Sequence, residues 1–398
     1  MSWLYATLIL LSPLYIWRFE LVGLPTNFLL SFAVLVIVLG FAQIIIKSEA
    51  NAFAEKIADL PKLFLGAVAL FFFSSIVSLF IGGIDLPKIG QWLVLYLTPI
   101  LVASQAYYFS GREEGFREKI VLAVYFFLFC SGIMALLQYF WLVGLPADFW
   151  GNSAEPKRAV GFFIHPNNFA LYITPLLAFL LPDLKQKIEN FQGRLFIIQF
   201  WPVIAWGLGG VGLFLSLSRG GWLGLAMACG IFVLFSSSKK ILLGFLGLGV
   251  IAIVIVSVVP NLRYRLLLPF HGEKSSVARI SLMQTGWKMV KDSPVLGQGI
   301  NGFNYNWDKF NTDPNLDHYN FPHNFILNAW VDTGLLGLLS WLVIVGFGIW
   351  YGFKNRSKTF ALGLALFLIA LLAHGLIDIP YFKNDLAMVF WLAFALAL

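Results

Sequence analysis

Residues 323–351 read HNFILNAWVDTGLLGLLSWLVIVGFGIWY, with Asp332 as the only formally charged side chain. A helix that crosses a bilayer needs roughly 20 mainly apolar residues, and this run exceeds that. Runs of the same kind flank it: 3–17, 28–46, 63–82, 91–108, 119–143, 168–182, 196–215, 220–236 and 240–259 before it, 360–377 and 385–398 after it. The first, sixth and last are short for a span. Turn chemistry separates the runs, as in Gly23-Leu24-Pro25, Gly82-Gly83, Gly144-Leu145-Pro146 and Gly220-Gly221. The pattern predicts an all-α polytopic membrane protein of about twelve transmembrane helices. Residues 260–322, directly ahead of the quoted run, are polar by comparison and form one long loop. The chain thus divides into an N-terminal membrane bundle over 1–259 (about nine spans), the loop 260–322, and a C-terminal membrane bundle over 323–398 (about three).

Composition points the same way. Hydrophobic residues make up 59% of the chain and charged residues 12%, against about 25% charged in soluble domains. So few charges cannot cover a water-facing surface, and lipid is the solvent for most of the chain. The net charge of +7 needs no nucleic-acid partner, because lysines and arginines collect at helix ends near anionic head groups. Cys130 and Cys229 each fall inside an apolar run and read as small hydrophobes. No His/Cys ligand spacing marks a metal site. The run 3–17 lacks a basic leader and a small-residue cleavage site, so it reads as a retained first span.

Loop charges orient the chain. One set of alternate loops holds 14 lysines and arginines and the other, without the long loop, holds 6. The richer set is expected in the cytoplasm, which puts both termini there. Arg158, His165, Arg219, Arg279, His323 and Asp378 then all fall on the outer side, from separate connections.

Each of these residues has a plain reading and a chemical one. Within 277–291, VARISLMQTGWKMVK, a helix places Val277, Ile280, Met283, Trp287 and Val290 on one stripe, with Ser281, Thr285 and Lys288 opposite. Such an amphipathic helix lies flat in the interface, apolar face down, and Asp292-Ser293-Pro294 ends it. Arg279 at the stripe's edge is either a snorkelling side chain or a cation at head-group depth. Arg219 sits in Leu217-Ser218-Arg219-Gly220-Gly221, almost without a loop. It is a topological anchor or a phosphate ligand, for which a guanidinium offers two parallel hydrogen bonds and the glycines offer close backbone approach. His323 is a helix-start histidine or a proton acceptor. Arg158 and His165 could line a site, while Asn167 and Asn168 suit a helix cap. Asp332 lies nine residues past His323, on the opposite side of a straight helix, and reads as a buried structural contact. Asp378 and Asp385 read as a cap and a loop contact. The chain has no GxxxxGK[ST], no DxD pair and no GxSxG.

Taken in order, these motifs resemble the O-antigen ligase and O-antigen polymerase superfamily. They are R-x-x-G-x-F-x-H-P-N (Arg158 to Asn167), S-R-G-G (Ser218 to Gly221), an arginine eight residues before a tryptophan (Arg279, Trp287), D-S-P-V-L-G-x-G (Asp292 to Gly299) and H-N-x-x-L ending in G-L-L-G (His323 to Gly337). The resemblance covers roughly 155–398. It implies a GT-C-like membrane glycosyltransferase of the bacterial inner membrane. Such an enzyme passes a glycan from an undecaprenyl-diphosphate-linked donor to an acceptor hydroxyl, on a glycan, lipid or protein, at the outer face. The resemblance gives Arg219 and Arg279 the diphosphate leaving group, His323 the acceptor, and Arg158, His165 and Asn167 a substrate-binding role. No metal or other cofactor is implied, since arginines offset the diphosphate charge. Asp332 departs from the glutamate common in the family. The competing class is a secondary transporter, which would place charges near the bilayer midplane in matched halves; His374 is a lone candidate for such a charge.

Overall fold

The computed structural model describes residues 1–21, 24–151, 156–190, 196–235, 274–314 and 316–398, with isolated positions between 243 and 258. The expected span 240–259 lies, apart from those positions, outside the described residues, as does 260–273. Helices dominate: α1 Ser2–Leu10, α2 Phe28–Ile46, α3 Ala50–Ala58, α4 Lys62–Phe80, α5 Leu86–Trp92, α6 Thr98–Ser110, α7 Phe116–Trp141, α8 Pro166–Phe179, α9 Leu181–Glu189, α10 Phe196–Leu215, α11 Arg219–Phe235, α12 Lys274–Asp292, α13 Gly302–Tyr305, α14 Trp307–Phe310, α15 Phe325–Lys354, α16 Thr359–Gly375 and α17 Asn384–Ala397. Among the described residues, five helical stretches are long and apolar enough to cross a membrane: Phe28–Ile46, Lys62–Phe80, Leu86–Ser110, Phe116–Trp141 and Phe325–Lys354. Shorter apolar helices, Phe200–Leu215, Arg219–Phe235, Thr359–Gly375 and Asp385–Ala397, fall in four further expected runs. This is the build of a multi-pass membrane protein.

Two expectations change. The first apolar run is helical only to Leu10 before a 3₁₀ turn, Ser12–Ile16, because Pro13 removes a donor. The fold is also not wholly α. Arg18–Leu21 (β1) pairs antiparallel with Leu24–Asn27 (β2), and Asn27 then caps α2 by accepting from Leu30 N at 2.9 Å.

Packing groups the chain into two compact units. One comprises Met1–Ala123, Ala278–Tyr351 and Gly375–Leu398; the other comprises Val124–Val277 and Gly352–His374. In the first, Phe64 of α4 stacks on Phe394 of α17 and Phe347 of α15, with ring centroids 5.3 and 5.0 Å away. Buried Tyr381 donates to Leu95 O at 2.7 Å and accepts from Trp391 Nε1 at 3.0 Å. Leu95 belongs to a π-helical segment, Leu93–Leu97, between α5 and α6. In the second, Ala178, Ala228, Phe232, Leu366 and Ala370 form a core where α8, α11 and α16 meet. Small residues bring these helices together: a Cβ on Gly224 would lie 2.7 Å from Ala370 O.

The loop helix α12 forms and stops at Asp292 as its Asp-Ser-Pro terminus requires. Its packed face is not the expected stripe. Leu282, Thr285, Gly286, Met289 and Val290 are buried, while Val277, Ile280 and Trp287 are exposed. Residues 295–314 and 316–319 fold back over α12, so Leu282, Met289 and Val290 pack with Phe303, Trp307 and Val331. Thr285 survives burial by donating to Ser281 O within its own helix, at 3.0 Å. The period showed an amphipathic helix but not the chain that covers its other side.

Candidate functional site

The site in the first unit starts from a break in α15. Gly334 has φ 68° and ψ −174°, a conformation essentially reserved for glycine. The quoted run is therefore two helical pieces, and the break exposes backbone groups that the preceding loop satisfies. Gln298 N donates to Val331 O at 2.6 Å and Leu335 N to Val295 O at 3.0 Å. Trp330 Nε1 donates to Pro294 O at 2.7 Å. Asp332, buried, accepts from Gly302 N at 3.3 Å and from Asn328 Nδ2 at 3.1 Å. Asp332 is thus the structural contact expected of it. Gly297 and Gly299 have φ of 73° and 86°. A Cβ on Gly297 would lie 2.6 Å from Val331 O, and one on Gly299 would lie 2.7 Å from Ile81 O. The motif Asp292 to Gly299 is a clamp: it fastens the loop to α15 and to the end of α4.

A second fastening supports it. The buried Lys88 amine donates to Gly83 O at 2.8 Å and Gly82 O at 3.2 Å, covering carbonyls just past α4. The same amine lies 4.6 Å over the Tyr305 ring, and Tyr305 donates to Asp85 at 2.8 Å. Partial burial, then this bond to the Asp85 carboxylate, pushes the Tyr305 phenol up to about 12.

His323 sits just ahead of α15 with φ 51°, a left-handed turn that directs the chain into the helix. Its Nδ1 lies 3.4 Å from Oδ1 of the buried Asp378, close enough for an ion pair. Tyr319 meets the imidazole edge to face at 5.9 Å. Asn324 explains why Asp378 is there. Its Oδ1 caps α15 by accepting from Leu327 N at 3.1 Å, while its Nδ2 donates to Leu376 O at 3.1 Å. One side chain thus ties the start of α15 to the turn after α16 that carries Asp378. Asp378 also accepts from Ile379 N at 2.9 Å, as a local cap would. The reading of Asp378 as a cap missed its second partner, since nothing in local spacing links positions 323 and 378.

Arg279 lies on the same α12 face as Gly286, seven residues on. Gly286 is where α12 touches the approach to His323: a Cβ there would lie 3.0 Å from Pro322 Cβ. Arg279 is therefore two turns, about 11 Å along the axis, from that contact. Among the described residues it forms no ion pair, and it is half-buried.

The second unit holds another cluster. Arg158 Nε donates to Ser216 O at 3.0 Å and its Nη2 to Asn167 Oδ1 at 2.8 Å. Ala159 N donates to Leu215 O at 2.9 Å. The segment before α8 is thereby bound to the turn between α10 and α11, where Leu217 has φ 51° and Arg219 opens α11. The cap of α8 is not Asn167 or Asn168. It is His165, whose Nδ1 accepts from Asn167 N at 3.1 Å, leaving the Asn167 side chain to hold Arg158. Gly221 is committed to packing, since a Cβ there would meet Leu213, Thr174 and Ala170 at 2.7–3.1 Å. Its smallness is explained by α8, without a ligand. Ser218 turns inward and its Oγ faces Gly221 N at 3.5 Å.

Each cluster offers cationic donors, and the first adds an imidazole with a carboxylate behind it. Among the described residues no group of three His, Cys, Asp or Glu side chains could hold a metal ion. Residues 204–342 match the O-Antigen ligase family. Over that stretch the chain is similar to the O-antigen ligase and polymerase superfamily. The matched stretch contains Arg219, Arg279, the Asp292–Gly299 clamp and His323, and it begins after Arg158, His165 and Asn167. An uncharacterized protein of Haemophilus influenzae is 23% identical over 164 residues, which is 36% of this chain and 41% of that protein. The match therefore spans less than half the length of that curated relative. Within the superfamily's matched stretch, the break at Gly334 and its clamp account for the run of motif glycines as backbone requirements rather than as ligand contacts.

Proposed function

We propose that the chain is a membrane glycosyltransferase that moves a glycan from an undecaprenyl-diphosphate-linked donor to an acceptor hydroxyl at the outer face of the bacterial inner membrane. The observation that carries this is the family match over 204–342, which takes in Arg279, without an ion pair among the described residues, on the helix that packs against the segment of His323. With it go the GT-C-like fold that the resemblance implies and the orientation drawn from the loop charges: about twelve spans, both termini cytoplasmic, and an N-terminal bundle, an external loop and a C-terminal bundle in that order.

The chemistry follows. The acceptor oxygen attacks the anomeric carbon, the bond from that carbon to the phosphate oxygen breaks, and undecaprenyl diphosphate leaves with the electron pair. Negative charge builds on the diphosphate, and fixed guanidinium groups stabilise it; one such donor is worth about 10²–10³ in rate. Arg219 and Arg279 fill that role, needing no cation. The hydroxyl proton passes to His323. With Nδ1 turned toward Asp378, Nε2 is the nitrogen left to accept it, and the imidazolium that forms gains a nearby carboxylate. Attack opposite the leaving group inverts the anomeric centre. Arg158, His165 and Asn167 shape the donor side, with Arg158 held by Asn167 as described. The secondary-transporter reading draws no support from the family match.

The experiment is transfer by purified protein. With only lipid-linked repeat units, a polymerase makes ladders; a ligase needs a separate acceptor. Arg279→Ala and His323→Ala should remain membrane-inserted and lose transfer in either case. Wild-type rates in both variants would end the proposal.

A further inference from the structure

The first unit contains a cavity that the transfer chemistry does not use. It lies toward the Leu398 end of α17, away from Asp385. Its walls include Ile57, Phe64, Val68, Ile100, Tyr107 and Phe394, and its volume is about 110 Å³. That is less than the roughly 300–1,000 Å³ of a drug-sized ligand site, and suits a stretch of hydrocarbon chain. The lining is almost wholly carbon. Ser104, its one hydroxyl besides Tyr107, donates back to Leu101 O at 2.8 Å. Water gains little in such a space, because it would find too few polar partners. An apolar chain would fill it.

Charge marks one end. Lys56 is half-buried on α3, with its amine 4.5 Å over the ring of Tyr107. Its Cε would lie 3.8 Å from a Cβ on Gly111. It therefore stands where α6 ends, at the Tyr107 wall. Lys62 opens α4, three residues before the lining residue Leu65. The neighbouring acids turn away: Glu55 and Asp59 are exposed, while Lys56 and Ile57 are drawn inward. An apolar slot with a lysine at its rim and a second beside it matches a molecule with a hydrocarbon tail and an anionic head.

We propose that this cavity holds part of an acyl chain of an anionic phospholipid, with the lipid phosphate at Lys56. The site needs only that the chain reside in a bilayer, so it stands or falls apart from the transferase reading. The test uses the full chain in nanodiscs that contain trace phosphatidylglycerol or phosphatidylcholine with a diazirine near the end of one acyl chain. Light fixes the lipid to its neighbours, and mass spectrometry maps the labelled peptides. Label should concentrate on the peptides around Ile100–Tyr107 and Phe394–Leu398, more from phosphatidylglycerol than from phosphatidylcholine. A lysine near an anionic head group is worth about fivefold in binding, so Lys56→Gln should cut the preference by about that factor. Ala103→Phe, which narrows the slot, should remove label there from both probes and leave label elsewhere unchanged. Should the larger side chain disturb folding, as read by gel filtration, Lys56→Gln still decides the matter. Equal labelling by both lipids, no change in Lys56→Gln, or label displaced by a polyprenyl phosphate but not by unlabelled phosphatidylglycerol would overturn the proposal.

Discussion

Replacing Gly334 by Ala tests whether the clamp organises the site. The backbone there, at φ 68° and ψ −174°, costs a non-glycine residue about 1–3 kcal/mol. The added methyl would also be driven into the carbonyl of Val295. Relief requires the loop to move, which endangers Leu335 N to Val295 O and Gln298 N to Val331 O. Each such bond is worth about 0.5–1.5 kcal/mol net. Together these give about 2–6 kcal/mol, applied locally. Hydrogen exchange resolves such local opening. Amides in 293–301 and 331–337 should lose protection by about 10² or more, with exchange in α2 and α8 unchanged. Gly346→Ala is the control, since a Cβ there meets nothing within 4 Å in the same helix. If Gly334→Ala kept the protection of Gly346→Ala, the clamp would not be what holds the loop.

Asp378→Asn should lower transfer by about 10²–10⁴, as expected for a base that loses its orienting carboxylate, with thermal stability near wild type; a rate within twofold of wild type would remove Asp378 from the mechanism. Asn324→Ala should produce a similar loss indirectly, by releasing Leu376, and Asn324→Asp, which keeps the cap but not the donor, should not restore it. Arg219→Lys and Arg279→Lys should each recover only a small part of the activity lost in the alanine variants, because an ammonium cannot make the paired bonds of a guanidinium; full recovery would mean that net charge alone suffices. Tyr305 has a raised pKa, so its contribution is complete below its ordinary value near 10 and is lost as pH rises through about 12. The stability difference between wild type and Tyr305→Phe, followed by thermal melts, should be flat from pH 7 to 9 and shrink only above that.

The apolar helices were legible because lipid imposes one rule, a long run of carbon side chains, on any span. Phe28–Ile46, for instance, begins and ends where composition says it should. What escaped depended on contacts distant in sequence. The quoted run looked continuous because Gly334 is one glycine among several, and only the loop at 295–298 reveals that it is broken. Thr285 looked solvent-facing because period alone does not show that residues 295–314 and 316–319 cover α12. Asn167 looked like a cap because its neighbour His165, a less common capping residue, had been reserved for chemistry. Asp378 was visible as an acid but not as the partner of His323, since Asn324 makes that link across the helix-rich segment between them. The arginines were recognisable as a pattern because guanidinium groups at membrane edges are scarce and costly.

The most direct test is the fate of the diphosphate. Purified protein, given a lipid-diphosphate-linked glycan and an acceptor, should release one undecaprenyl diphosphate per glycan transferred. Arg219→Ala, Arg279→Ala and His323→Ala should each reduce both products together by about 10² or more. Transfer at the wild-type rate in these variants, or transfer without stoichiometric diphosphate release, would contradict the account.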